Sequence, residues 1–120
     1  VAKIADRFAP LKPDSGHTNA ALCVLGWGST FGAIKGAVRE LQNEGLSVAH
    51  VHLRHINPME KNLGDLLKGY GKVLIPEINS GQLIQLIRSK FLIPAEGLNK
   101  VQGLPFTTEE IKNKIREMLR

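Results

Sequence analysis

Three short stretches of this sequence hold residues suited to chemistry, and each follows an apolar run. The first is Gly26, Trp27, Gly28, Ser29, Thr30, Phe31 and Gly32. Glycines after a strand let backbone N–H groups approach a pyrophosphate at a helix start. The dinucleotide fingerprint needs its third glycine at position 31, which is Phe31. It also needs an acidic residue after the second strand to hold a ribose, where this chain has His52 and Arg54. Arg54 suits a 2′-phosphate, so a stand-alone NADP-like nucleotide-binding domain stays open as an alternative. The missing features favour a tight strand–helix turn in which Gly26 and Gly28 relieve crowding and Trp27 packs against a neighbour.

The second stretch carries His50, His52 and His55. On a strand His50 and His52 point to one face, close enough to share a metal. No carboxylate or thiolate lies nearby in sequence to complete a ligand set, so hydrogen-bonded histidines at the polar end of a buried strand are favoured. Asn57 follows in the same loop. The third stretch, Glu77 to Gln82, brings Glu77, Asn79, Ser80, Gly81 and Gln82 together. Asn79 or Ser80 fits a helix cap, Gly81 permits close backbone approach, and Glu77 suits the positive end of a helix dipole. No second carboxylate or nucleophile accompanies Glu77 for acid–base work. His17 stands in an irregular segment, and Cys23 reads as an inert thiol inside a strand.

The elements that must position these loops are legible from hydrophobic periodicity. Residues 21–25 form a continuous apolar run, as a strand buried on both faces should. Ser29 or Thr30 is placed to cap the helix carried by Ile34, Ala37, Val38 and Leu41, and Gly45 stands at a left-handed terminator position. Residues 47–53 predict a second strand, and Leu63, Leu66, Leu67 and Tyr70 a second helix. Residues 72–76 predict a third strand, Leu83 to Phe91 a third helix, and 98–103 a short fourth strand. Thr107 with Glu110 has capping-box spacing before a last helix lined by Ile111, Ile115, Met118 and Leu119. Four alternations of strand and helix predict an α/β fold: a three-layer α/β/α sandwich with a mostly parallel sheet. In such a sheet the loops leaving the strands' carboxyl ends meet ligands and partners, and the three stretches are those loops.

Length and composition bound the rest. With 120 residues the chain is one ordinary domain, read as an irregular lead-in over 1–20 and a single α/β domain over 21–120. The start lacks Met and any apolar signal region, so the reading is a piece of a longer chain. One cysteine excludes an internal disulfide, a thiolate zinc site or an iron–sulfur cluster held here. The net charge of +5, from 16 basic against 11 acidic residues, is spread along the chain. It forms no phosphate-tracking stripe, so no nucleic acid is expected as a partner. No run approaches the roughly 20 apolar residues of a membrane span, so no membrane is expected either. The positive balance leaves open a basic adaptor that recognises an acidic protein such as ferredoxin.

Four stretches in order carry a resemblance: VLGWGSTFG over 24–32, HLRHINP over 52–58, PEINSGQ over 76–82 and KVQG over 100–103. Together they resemble the C-terminal part of the alpha subunit of the 2-oxoglutarate:ferredoxin oxidoreductases, within the wider 2-oxoacid:acceptor oxidoreductases. The resemblance covers essentially the whole chain. It implies a transketolase C-terminal-like domain and a cytoplasmic parent enzyme that converts a 2-oxoacid and coenzyme A to acyl-CoA and CO2 while reducing ferredoxin. It also implies thiamine diphosphate, Mg, an iron–sulfur cluster and coenzyme A in the parent complex, all held outside this piece. Partners by the same resemblance are the other alpha-subunit domains, the beta subunit and, for the complex, ferredoxin. No catalytic, cofactor-binding or metal residue carries over. The candidates for an interface or crevice are Gly26, Trp27, Gly28, Ser29, His52, Arg54, His55, Asn57, Glu77, Asn79, Gly81 and Gln82.

Overall fold

In the computed structural model, the described residues are 13, 15–16, 19–53, 63–78, 82–100 and 105–119. Four strands, β1 (Leu22–Trp27), β2 (Val48–Leu53), β3 (Lys72–Ile78) and β4 (Glu96–Lys100), form one sheet in the order β2-β1-β3-β4. All three pairings are parallel. Four α-helices alternate with the strands: α1 (Phe31–Asn43), α2 (Leu63–Lys68), α3 (Gln82–Phe91) and α4 (Thr108–Leu119), with a 3-10 turn (Gly28–Thr30) leading into α1.

The apolar strands are continuous because both faces are covered. Leu22, Val24, Val48 and Leu74 pack with Ile34, Val38 and Leu41 of α1 and with Ile111 and Ile115 of α4. Cys23, Leu25, Ala49, Val51, Val73 and Ile75 pack on the other face with Leu63 and Leu67 of α2 and with Leu83 and Ile87 of α3. The expected three-layer α/β/α sandwich is therefore present, and its described strands are all parallel. Two ion pairs lock α1 to α4: Lys112 Nζ to Glu40 at 2.9 Å and Arg116 Nη2 to Glu44 at 2.7 Å. Partners four residues apart on each helix bring the two pairs onto one seam.

Several boundaries differ from the periodicity reading. β3 runs on through Glu77 and Ile78, because β4 pairs with it as far as Ile78–Lys100. β4 itself begins at Glu96 rather than residue 98. Residue 98 is the one large aliphatic in its sequence EGLNK, so this edge strand gives almost no hydrophobic signal. The Thr30 side chain does not cap the first helix, and its hydroxyl donates instead to the Trp27 carbonyl at 2.9 Å. The capping box does form: Glu110 N–H donates to Thr107 Oγ1 at 3.2 Å, and Thr107 N–H to Glu110 Oε1 at 2.9 Å. Within the expected lead-in, Ser15 makes an antiparallel bridge to His50, exchanging backbone hydrogen bonds of 3.3 and 2.9 Å.

Candidate functional site

The strand order places a switch point between β1 and β3. The chain leaves β1 for β2 on one side, and returns by α2 to β3 on the other. The crevice above their carboxyl ends is where open α/β sheets take ligands and partners. Gly26 and Trp27 end β1 there, Gly28 and Ser29 begin the 3-10 turn that follows, His52 and Glu77 lie one residue before the ends of β2 and β3, and Gln82 begins α3. The structure thus brings these candidates to one end of the sheet. Arg54, His55, Asn57, Asn79 and Gly81, like the cap candidate Ser80, lie outside the described residues.

Most of the described polar groups there are satisfied from within. Glu77 is buried, and its carboxylate accepts from the first N–H groups of α3: Leu83 N–H to Oε1 at 2.8 Å and Ile84 N–H to Oε2 at 3.2 Å. A strand-end carboxylate therefore caps this helix, at the positive end of its dipole as the sequence reading expected of Glu77, while the expected caps Asn79 and Ser80 lie outside the described residues. An ionised acceptor on helix-terminal N–H groups makes a strong hydrogen bond and also meets the positive end of the dipole. Glu77 is held as a structural cap, with both oxygens engaged.

The histidines form the second part of the site. His50 and His52 are both buried on the α1 face of β2, with Nε2 of one 3.3 Å from Nδ1 of the other. Phe31, at the start of α1, stands edge-on to His52 with ring centroids 4.8 Å apart, and lies 5.2 Å from His50. These are the hydrogen-bonded buried histidines that the pattern favoured. Among the described residues no group of three or more His, Cys, Asp or Glu is placed to hold a metal.

The glycine turn is crowded on one side and open on the other. A Cβ on Gly26 would lie 2.3 Å from Ile34 Cδ1 and 3.1 Å from both His52 Nδ1 and Thr30 Oγ1. Gly26 relieves crowding, as expected. Gly28 has free space around it, but its φ of +66° lies in the left-handed region, where a side chain would be strained. Trp27 differs from expectation. It is 43% exposed, because it ends β1 beyond the five residues that the helices cover. It is the one large apolar side chain that the described carboxyl end shows to solvent, and nothing in its sequence context signalled this.

The donor chemistry does not fit the groups implied by resemblance. Cys23 is fully buried in β1, and burial holds its thiol protonated far above the ordinary range. A lone buried thiol cannot ligate an iron–sulfur cluster. The β1–α1 turn directs the Thr30 hydroxyl back to its own chain, and Phe31 stands where a dinucleotide fingerprint has its third glycine. No helix among the described residues is long and apolar enough to cross a membrane.

No family model matches the chain. It is 43% identical over 119 residues, 98% of its length, to the 2-oxoglutarate oxidoreductase subunit KorA of Mycobacterium tuberculosis. It is 30% identical over 109 residues to the 2-oxoacid:ferredoxin oxidoreductase subunit alpha of Saccharolobus solfataricus. The chain spans only 18% and 17% of the length of those two proteins. Among solved structures it superposes on the 2-oxoglutarate:ferredoxin oxidoreductase of Magnetococcus marinus, which holds 2-oxoglutarate, coenzyme A and succinyl-CoA. That match has a TM-score of 0.90 and 29% identity, over 99% of this chain and 21% of that one. A transketolase from Campylobacter jejuni shares the fold, with a TM-score of 0.64 at 16% identity over 88% of this chain and 18% of that one. Sequence and fold agree on one kinship.

Proposed function

We propose, from the premise that this chain belongs with the alpha subunits of the 2-oxoacid:ferredoxin oxidoreductases, that it is their C-terminal domain. The parent enzyme on this reading is a cytoplasmic, thiamine-diphosphate-dependent oxidoreductase. It converts a 2-oxoacid, with 2-oxoglutarate the first candidate, and coenzyme A to acyl-CoA and CO2, and passes the electrons to ferredoxin. Within it the domain is a rigid support that supplies no catalytic side chain. The observation that carries the reading is 43% identity across 98% of the chain, joined to a TM-score of 0.90.

The site geometry supports a supporting role over a reacting one. Glu77 spends both oxygens on α3, the two histidines face each other, and the thiol is sealed in the core. Trp27 is left outward. Exposed aromatics of this kind anchor interfaces. We place the carboxyl end, with Trp27 at its centre, against the cofactor-bearing domains or the beta subunit.

The experiment is made on the complete enzyme. Ferredoxin reduction should require both 2-oxoglutarate and coenzyme A. Trp27→Ala, Arg54→Ala and Glu77→Ala should each weaken subunit assembly or turnover. Full assembly and full turnover in all three variants would remove the carboxyl end from the interface. An NADP-dependent rise in melting temperature would instead favour a nucleotide site at Gly26–Gly32.

A further inference from the structure

We infer that the surface around Leu92, at the opposite end of the sheet, docks an apolar, acidic segment of the same polypeptide outside these 120 residues. The inference rests on the reading that the chain is one domain of a much longer subunit.

Leu92 is 85% exposed and has a φ of +56°. Neither property explains the other. A leucine in the left-handed region is strained by its own Cβ, and an exposed one recovers nothing by burial. The turn that imposes the conformation is firmly held. Leu92 N–H donates to the Arg88 carbonyl at 3.0 Å, and the Arg88 guanidinium donates twice to the Ala95 carbonyl, at 3.0 and 2.7 Å. The side chain is therefore presented by a rigid turn.

Beside it lies a cavity of about 180 Å³ lined by Leu67, Tyr70, Ile93 and Pro94, with Lys68 and Lys72 completing its wall. An aliphatic side chain fits that space. The charges state the rest of the occupant's chemistry. Among the described residues Lys68 and Lys90 have no carboxylate partner, whereas the Lys72 ammonium donates to the Met118 carbonyl and the Arg88 guanidinium to the Ala95 carbonyl. Glu40, Glu44, Glu96, Glu109 and Glu117, in contrast, are all paired to α4. An occupant with carboxylates flanking an apolar residue complements this face. Attachment to the same chain is favoured because the relatives are more than five times longer than the matched region. A tethered segment meets its site at an effective concentration in the millimolar range.

The test uses the complete alpha subunit, alone and with its partner subunit. Asn tolerates the left-handed region, so on a free surface Leu92→Asn relieves strain and leaves the subunit as resistant to protease as before, or more so. If the surface is docked, Leu92→Asn and Lys68→Glu each speed limited proteolysis about tenfold in the alpha subunit alone, equivalent to about 1.4 kcal/mol. Leu92→Met, apolar and equally strained, should stay close to the parent. Unchanged or slower cleavage in both Leu92→Asn and Lys68→Glu overturns the inference. An effect confined to the assembled complex assigns the face to the partner subunit, and one that scales with protein concentration assigns it to a second copy; both overturn it as well. Because the readout is cleavage rather than turnover, it stands even if the enzyme proves to catalyse a different reaction.

Discussion

Helices α1 and α3 begin at the same end of the sheet, and their last turns lead into opposite solutions. After α1 the backbone turns through Gly45 at φ +89°, with nothing within 4 Å of the place a Cβ would occupy. After α3 it turns through Leu92 at φ +56°, with the side chain in solvent. Glycine at such a terminator is free of strain, whereas leucine there is not. The first end turns without strain. The second keeps an apolar group outward at a cost to the backbone, which is what a contact surface requires.

The largest effect expected concerns the start of α3. Glu77→Ala would leave two buried N–H groups without their charged acceptor, a loss of about 3 kcal/mol by denaturant unfolding. Glu77→Gln keeps one acceptor oxygen and should lose less. If Glu77→Ala were neutral, the well-held start that contrasts with the strained end of α3 would be an illusion. Next, Gly45→Leu would give α1 the ending that α3 has. Open space surrounds it, so the cost is conformational alone, about 1–2 kcal/mol.

A third test separates the two helical layers by pH. Cys23 and Tyr70 belong to the α2–α3 layer, and burial raises both of their pKa values. The folded state keeps the Cys23 proton where the unfolded chain releases it. Stability is therefore complete below the ordinary thiol value of about 8.5 and is lost as pH rises above it, by up to 1.4 kcal/mol per unit. Cys23→Ala should flatten that slope between about pH 8.5 and 10, the range below ordinary tyrosine and lysine titration. Lys112, in the other layer, is raised chiefly by its hydrogen bond to Glu40, and its contribution fades only at higher pH. The smallest effect is Leu92→Asn in the 120-residue chain, which should gain up to about 1 kcal/mol in a thermal melt. A loss there would mean that Leu92 already packs within the domain.

Much of the architecture could be read from residue order, for physical reasons visible in particular elements. Residues 22–25 read as a strand because two layers cover them, and Gly45 and the Thr107–Glu110 pair mark helix ends by side-chain chemistry that acts locally. The misses act across distance. Glu77 caps a helix whose first bonded N–H is six residues away, beyond the usual capping window. β4 is an edge strand whose pairing with β3 outweighs its weak propensity. Leu92 adopts a glycine conformation with no glycine to announce it. The carboxyl ends of β1, β2 and β3 lie at one end of the sheet, as parallel strands require, but that Glu77 faces inward and Trp27 outward depends on burial, which spacing does not encode.

The bridge between Ser15 and His50 has a consequence for the fate of the chain at high concentration. β2 is a flank of the sheet, six buried residues with three aliphatics larger than alanine, and its open backbone groups would invite another chain to extend the sheet indefinitely. Ser15 occupies two of those groups, and Gly16 follows so tightly that a Cβ would lie 2.6 Å from the Val48 carbonyl oxygen. Ser15 thus blocks the middle of that edge against a further strand, and Gly16, which contributes nothing to the core, lets the chain lie that close.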